Sequence, residues 1–245
     1  VSADPRRPDV TSLVRDYIET KGFYGIKMYP ALGFFPQDPR LHELYAWAEA
    51  NEIPVTTHCI PKNLNHYRGK ISPEDQKIAK EIPVYSEKEA RHNYDFAQYY
   101  NHPYGWKKVL EQFPCLKLNL AHFGGNIEWD KYLDDPFVKE EKEAQNWFYQ
   151  IRKLIEDTNY PNVYADISFT VFDDRLYPLL KTMIAYEKTK NNILFGSDFY
   201  MLQKDYRERR FGFDMRGYLS DEYYWQIAYH NPLRFLANKI HGQLP

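Results

Sequence analysis

Three apolar runs in this chain close on a residue able to bind a metal: IPVTTHC reaches His58, LKLNLAH reaches His122 and NILFGSD reaches Asp198. A strand buried on both faces of a parallel sheet reads as such a continuous run. A polar residue at its last position therefore sits where the sheet meets the loops. In (β/α) barrels the catalytic groups gather at that C-terminal rim. FYGIKMYP, which carries Lys27 and Tyr29, is a fourth run of the same design.

Helical patterns alternate with these runs. Asp38 can cap a helix with Pro39 at its first position, and Leu41, Leu44, Tyr45 and Ala48 share one face behind it. Residues 60–112 are longer than an ordinary strand-to-helix connection and contain Ser86 with Glu89 three further on, a capping-box pattern, before a helix near Tyr104 to Phe113. An insertion of that length over a barrel rim predicts a lid, with Tyr67, Tyr85 and Tyr94 contributing to the pocket. Helices are expected over about 136–157, opened by Asp135 and Pro136, and over about 174–188. Ser220 and Asn231-Pro232 mark the starts of C-terminal helices. The βαβα order predicts a parallel sheet in one domain over 1–245. Strands end near Asp4, Lys27, His58, His122, Asp166 and Asp198, six where closure of a barrel needs eight. This count, with a first residue that is Val, predicts that about two N-terminal strands precede this chain.

Composition excludes some partners. A formal charge of -2 and a pI near 6.5 leave no basic surplus for nucleic acid or anionic lipid. No apolar stretch approaches the ~20 residues that span a bilayer, and VSADPRRPD is not a secretory signal. Aromatics make up 17% of the chain, more than a barrel core needs, so the excess is expected in loops, pockets or a subunit contact, which leaves a homo-oligomer open. Cys59 ends one predicted strand and Cys115 begins the next. The two should lie at opposite ends of the sheet, beyond the ~7 Å reach of a disulfide, and unpaired thiols point to a cytoplasmic protein.

Histidine and carboxylate ligands from separate strands suit one divalent ion, Zn²⁺ foremost, with Mn²⁺ and Fe²⁺ as alternatives. Taken singly, a His near a strand end is more often a structural residue, and an Asp after Gly-Ser is often only a helix cap. The shared rim is what favours the metal reading of His58, His122 and Asp198. Lys27, Tyr29, Arg6 and His92 are the candidate substrate-binding residues; solvated arginines are the plain alternative for Arg6 and Arg7. The turn alone accounts for Gly124-Gly125.

The stretches GIKMYPALGFFPQDPRL, PVTTHC, HPYGWKKVLEQFPCLKLNLAHFGGN, NVYADIS, ILFGSDF and NPLRFL together resemble the metal-dependent amidohydrolases, in the branch that includes the aminocarboxymuconate-semialdehyde and resorcylate decarboxylases. The resemblance implies a (β/α)8 barrel, incomplete here, with about strands three to eight present. It also implies that His58 is the fifth-strand histidine, His122 the sixth-strand histidine and Asp198 the eighth-strand aspartate, which binds the metal and moves protons. The first-strand His-x-His or Glu-x-His of that family does not occur at the start of this chain. Three readings stand. The first is a metal-dependent hydrolase of an amide, ester or lactone in a small carboxylated or cyclic substrate, with Asp198 and His122 catalytic. The second is a non-oxidative decarboxylase on the same fold. The third is an inactive binding scaffold without the first-strand ligands.

Overall fold

The computed structural model describes residues 1–61, 65–134, 145–202 and 207–242. Six strands, β1 (Ser2–Ala3), β2 (Ile26–Met28), β3 (Val55–His58), β4 (Leu118–Ala121), β5 (Val163–Asp166) and β6 (Ile193–Leu194), pair in chain order, and every pairing is parallel. The apolar runs predict these six strands in this order, but β6 ends at Leu194, four residues before the expected end at Asp198. Among the described residues β1 pairs only with β2 and β6 only with β5, so the sheet is part of a barrel rather than a closed one. All four residues of β4 and of β5 are buried, as expected for central strands covered on both faces.

Helices α1 (Val10–Lys21), α2 (His42–Ala50), α5 (Pro103–Leu110) and α7 (Trp147–Glu156) cover the outer face, burying Ile18, Leu44, Trp106 and Ile151 in one core, and α6 (Asn126–Asp134) precedes α7 in the chain. α2 begins as its sequence predicts. The Asp38 carboxylate accepts from the Arg40 N–H at 2.9 Å, Pro39 follows, and Leu44, Tyr45 and Ala48 are buried. α7 is capped by Asn146, whose Oδ1 accepts from the Tyr149 N–H at 2.9 Å; the expected start at Asp135-Pro136 lies outside the described residues. Helix α8 (Tyr177–Ala185) follows a short 3-10 turn and packs between β5 and β6 in the chain.

The segment after β3 builds its own core. Helices α3 (Pro73–Ala79) and α4 (Asn93–Asn101) bury Ala79, Phe96, Tyr99 and Tyr100 against Phe35. The cap here is Ser72, whose hydroxyl accepts from the Asp75 N–H at 3.0 Å. At the Ser86 pattern the chain makes one short 3-10 turn (Glu89–Arg91) before α4: the Ser86 carbonyl accepts from the Ala90 N–H at 2.9 Å and its N–H donates to the Tyr99 hydroxyl at 3.1 Å. Asn101 Oδ1 accepts from the Ala31 N–H at 2.9 Å, and the Tyr67 N–H donates to the Ala31 carbonyl at 2.7 Å. Both bonds seat the insertion on the turn that follows β2, at the C-terminal end of the sheet.

The C-terminal helices α10 (Glu208–Leu219), α11 (Asp221–Trp225) and α12 (Asn231–Leu236) follow a short α9 (Phe199–Leu202). Ser220 occupies the predicted cap position but its side chain makes no capping bond. Asn231 starts α12 directly from a π-helical turn. Its buried amide donates to the Ile193 carbonyl at 2.7 Å, tying the end of the chain to the edge strand β6. Cys59 is buried and Cys115 exposed, and both are free thiols. Among the described residues no helix is long and apolar enough to cross a membrane.

Candidate active site

A cavity of about 650 Å³ opens at the C-terminal ends of the strands, and His58, His122, Asp198, Lys27 and Tyr29 all line it. Alternation explains why. On β2 the buried Ile26 and Met28 flank an inward Lys27, and on β3 the buried Val55 and Thr57 alternate with Thr56 and His58.

The two histidines touch. His122 Nε2 lies 2.9 Å from His58 Nδ1, and His122 Nδ1 lies 2.8 Å from the Ser168 carbonyl. A carbonyl only accepts, so His122 Nδ1 carries the proton, its Nε2 accepts, and His58 Nδ1 is the donor between the rings. These tautomers are inferred from partners. His58 Nε2 then faces the Tyr29 hydroxyl at 3.4 Å, and the Tyr29 ring stacks on His58 with centroids 4.4 Å apart.

The backbone at these strand ends is unusual. His122, Phe169 and Asp198 have φ of 69°, 48° and 51°, a left-handed region that costs a side-chain-bearing residue ~1–2 kcal/mol. His122 is held there by a hydrogen bond from the Thr170 hydroxyl to its carbonyl (2.6 Å) and by one from its own N–H to Asp166 (3.2 Å). Gly124, at φ 83°, also has a steric reason to be glycine: a Cβ would lie 2.8 Å from the Phe148 nitrogen.

Asp166 is a site residue that strand reading recorded only as a strand end. Its buried carboxylate accepts from Asn119 Nδ2 (2.7 Å), the His122 N–H (3.2 Å), the Ser168 N–H (3.1 Å) and the Ser168 hydroxyl. Burial pushes its pKa up, but the nearby His122 and the Ser168 and Asn119 hydrogen bonds outweigh that and hold it below the ordinary carboxylate value. The available signal was position: VYAD ends in an acid just where the neighbouring runs end in their histidines. Lys27 is open to the cavity yet ringed by protein. Burial lowers its pKa, against the pull of Asp166 and Asp198. The Tyr29 phenol is raised, by burial first and by Asp198 second.

Two proposed substrate contacts lie elsewhere. Arg6 does not line the cavity, because Asp4 in the same turn captures its guanidinium, which also donates to the Leu32 carbonyl at 2.7 Å. His92 is exposed at the turn before α4, where its carbonyl accepts from the Phe96 N–H. The three insertion tyrosines are also displaced from the cavity. Tyr67 packs against Gly33, Tyr85 against Tyr99, and Tyr94 is exposed beside His66. Among the described residues of the insertion, Ile60 and Asn65 reach the cavity wall.

No three His, Cys, Asp or Glu side chains among the described residues meet as a metal site. The donors nonetheless fit a divalent ion in kind. An imidazole that donates its Nδ1–H to a carbonyl presents Nε2 as a ligand, and His58 and Asp198 face the same space. The two ring nitrogens at 2.9 Å are bonded to each other, closer than the ~3.3 Å between two ligands of a tetrahedral ion with ~2.0–2.1 Å bonds.

The sequence profile described as amidohydrolase matches residues 1–237. The chain belongs to the amidohydrolase family. Among solved structures, this amidohydrolase chain resembles an uncharacterized TIM-barrel protein from Bordetella bronchiseptica, with a TM-score of 0.53 and 17% identity over 96% of this chain and 64% of that one. A 4-oxalomesaconate hydratase from Rhodopseudomonas palustris gives 0.53 and 18% over 94% and 60%. An amidohydrolase from Burkholderia multivorans with bound zinc gives 0.56 and 12% over 95% and 70%. At such identities the likeness is one of fold. The chain spans 64% of the length of the first of these structures and 60% of the second. None of the curated proteins matches it.

Proposed function

We propose that this chain carries the active site of a metal-dependent hydrolase that cleaves an amide, ester or lactone bond in a small carboxylated or cyclic substrate. The observation that supports it best is the contact of His122 Nδ1 with the Ser168 carbonyl, which puts the proton on Nδ1 and leaves Nε2 unprotonated beside His58, on a cavity that Asp198 also lines. His58, His122 and Asp198 would hold one divalent ion, Zn²⁺ foremost. Such an ion supplies Lewis acidity, polarising a carbonyl and making water nucleophilic near neutral pH.

The remaining work falls to the chain. Asp198 takes the proton of the attacking water and returns it to the leaving group. Lys27 anchors the carboxylate of the substrate. Tyr29, stacked on His58, orients that ring. The insertion after β3, through Ile60 and Asn65, covers the mouth and limits water.

The test is a metal analysis of the purified protein with a hydrolysis screen over small amides, esters and lactones. About one divalent ion per chain, and turnover abolished by a chelator, are expected. Carbon dioxide released from an aromatic acid without hydrolysis would move the assignment to a decarboxylase. Neither bound metal nor turnover would make the chain a binding scaffold and overturn the proposal.

A further inference from the structure

Below the histidines the inner face of the sheet is polar, where a barrel is ordinarily filled by branched aliphatic side chains. The register sets Lys27 level with Thr56, and Thr56 level with Asn119, on adjoining strands; all three line the cavity. Asn119 is only 4% exposed. The orientation of its amide is decided by its neighbour. Nδ2 donates to Oδ2 of Asp166 at 2.7 Å, and an ionised carboxylate can only accept. Oδ1 is therefore the end turned away from Asp166, and among the described residues it has no hydrogen-bond partner. A buried acceptor is costly to leave unpaired, so one that lines a cavity favours a bound molecule with a donor at that place.

Lys27 is the chemical opposite of that oxygen: a positive group with three donors and no acceptor. β2 and β4 are two strand spacings apart, about 10 Å, which the Lys27 arm and a two-carbon fragment can bridge. One floor carries a cation and an acceptor without a partner among the described residues, on strands either side of β3. A simple carboxylate answers the first and leaves the second unpaired; a neutral amide does the reverse.

We propose that Lys27 and Asn119 form a specificity subsite for small monocarboxylic acids bearing a hydroxyl or N–H on the carbon next to the carboxylate, the carboxylate pairing with Lys27 and the neighbouring donor with Asn119 Oδ1. In a hydrolase this class covers N-acylated amino acids and the products of lactones that carry a hydroxyl on the carbon next to the carbonyl. The inference rests on the cavity being the substrate site proposed above and goes further in naming what its floor selects.

The experiment is an NMR-detected binding titration of the full chain in chelator, with lactate, propionate and 2-methoxypropanoate as probes. Lactate is expected to bind about tenfold or more tightly than either of the others, since only it offers a donor beside the carboxylate. Lys27→Met is expected to weaken lactate and propionate alike by at least about tenfold. Asn119→Leu is expected to erase the preference while propionate binds as before. Should that variant fail to fold, the three probes on the unaltered chain still decide, because 2-methoxypropanoate keeps the oxygen and lacks only its proton. Equal affinity for the three acids, no saturable lactate binding, or lactate binding indifferent to Lys27→Met each overturns the subsite. Because the titration uses no metal and no turnover, it can fail while hydrolysis persists, and it can succeed on a chain that hydrolyses nothing.

Discussion

β3, β4 and β5 are four residues long and paired on both sides, whereas β1 and β6 are two residues long and, among the described residues, paired on one. The polar residues at their ends differ in the same way. His58, His122 and Asp166 interlock through bonds of 2.7–3.2 Å that also engage Asn119 and Ser168. Asp4 and Asp198, at the edges, are half-buried. At the centre Asp166 thus spends its carboxylate on holding its neighbours still, whereas Asp198 at the edge is left half-buried on the cavity. The contrast predicts that substitution of Asp166 acts first on stability and that substitution of Asp198 acts on chemistry.

The largest expected effect tests the edge. Asp198→Asn keeps the shape and removes the basicity, so turnover of a hydrolysed substrate should fall ~10²–10⁴-fold while the thermal midpoint hardly moves. A helix cap would tolerate Asn about as well as Asp, so turnover within a few-fold of the unaltered protein would erase the contrast from the edge side.

Asp166→Leu tests the centre. Four donors lose their acceptor at ~1–3 kcal/mol for each that stays unpaired, so urea denaturation should show a loss of at least about 3 kcal/mol. A loss below about 1 kcal/mol would mean that the network is not what holds His122 in place.

His102 sharpens the comparison through pH. Burial pushes its pKa down to about 3, its Nδ1 accepts from the Tyr104 N–H to cap α5, and its ring meets Trp147 edge-on. Both states are neutral above the unfolded value near ~6.5, so no stability is lost there. As pH falls below it the unfolded chain takes up a proton that the folded chain refuses until about 3, so about 2 kcal/mol should be lost between pH 6.5 and 5. His102→Asn keeps a capping oxygen and should remove that dependence from the urea midpoint. An unchanged slope would place the acid sensitivity elsewhere.

The smallest effects are expected at Arg6 and His92, outside the cavity. Arg6→Ala breaks a surface pair with Asp4 and should cost less than about 1 kcal/mol. His92→Ala should do no more, and KM should be unaffected by either. A clear rise in KM would return one of them to the site.

The strands were legible because burial on both faces leaves an unbroken apolar run, and their polar terminators were legible because a run makes its last residue conspicuous. Arg6 and His92 lie away from the cavity lining: sequence shows which group could bind an anion but not which neighbour takes it first, and Asp4 takes Arg6, while His92 is exposed before α4. The partner of the Ser86 amide was equally out of reach, since the Tyr99 hydroxyl lies 13 residues away. Asp166 ended its run as visibly as His122 did. What stayed hidden was its four donors, three of which come from the backbone or from the side chain of Asn119 on another strand.

Cys59 follows His58 directly, is fully buried, and has its pKa raised by that burial, while Cys115 is exposed. A thiol reagent should therefore modify Cys115 at once and wait for Cys59 until the end of β3 opens locally. The delay between the two reactions is a clock built into the fold. It times how often the rim carrying the two histidines breathes, and any ligand that settles in the cavity should slow it.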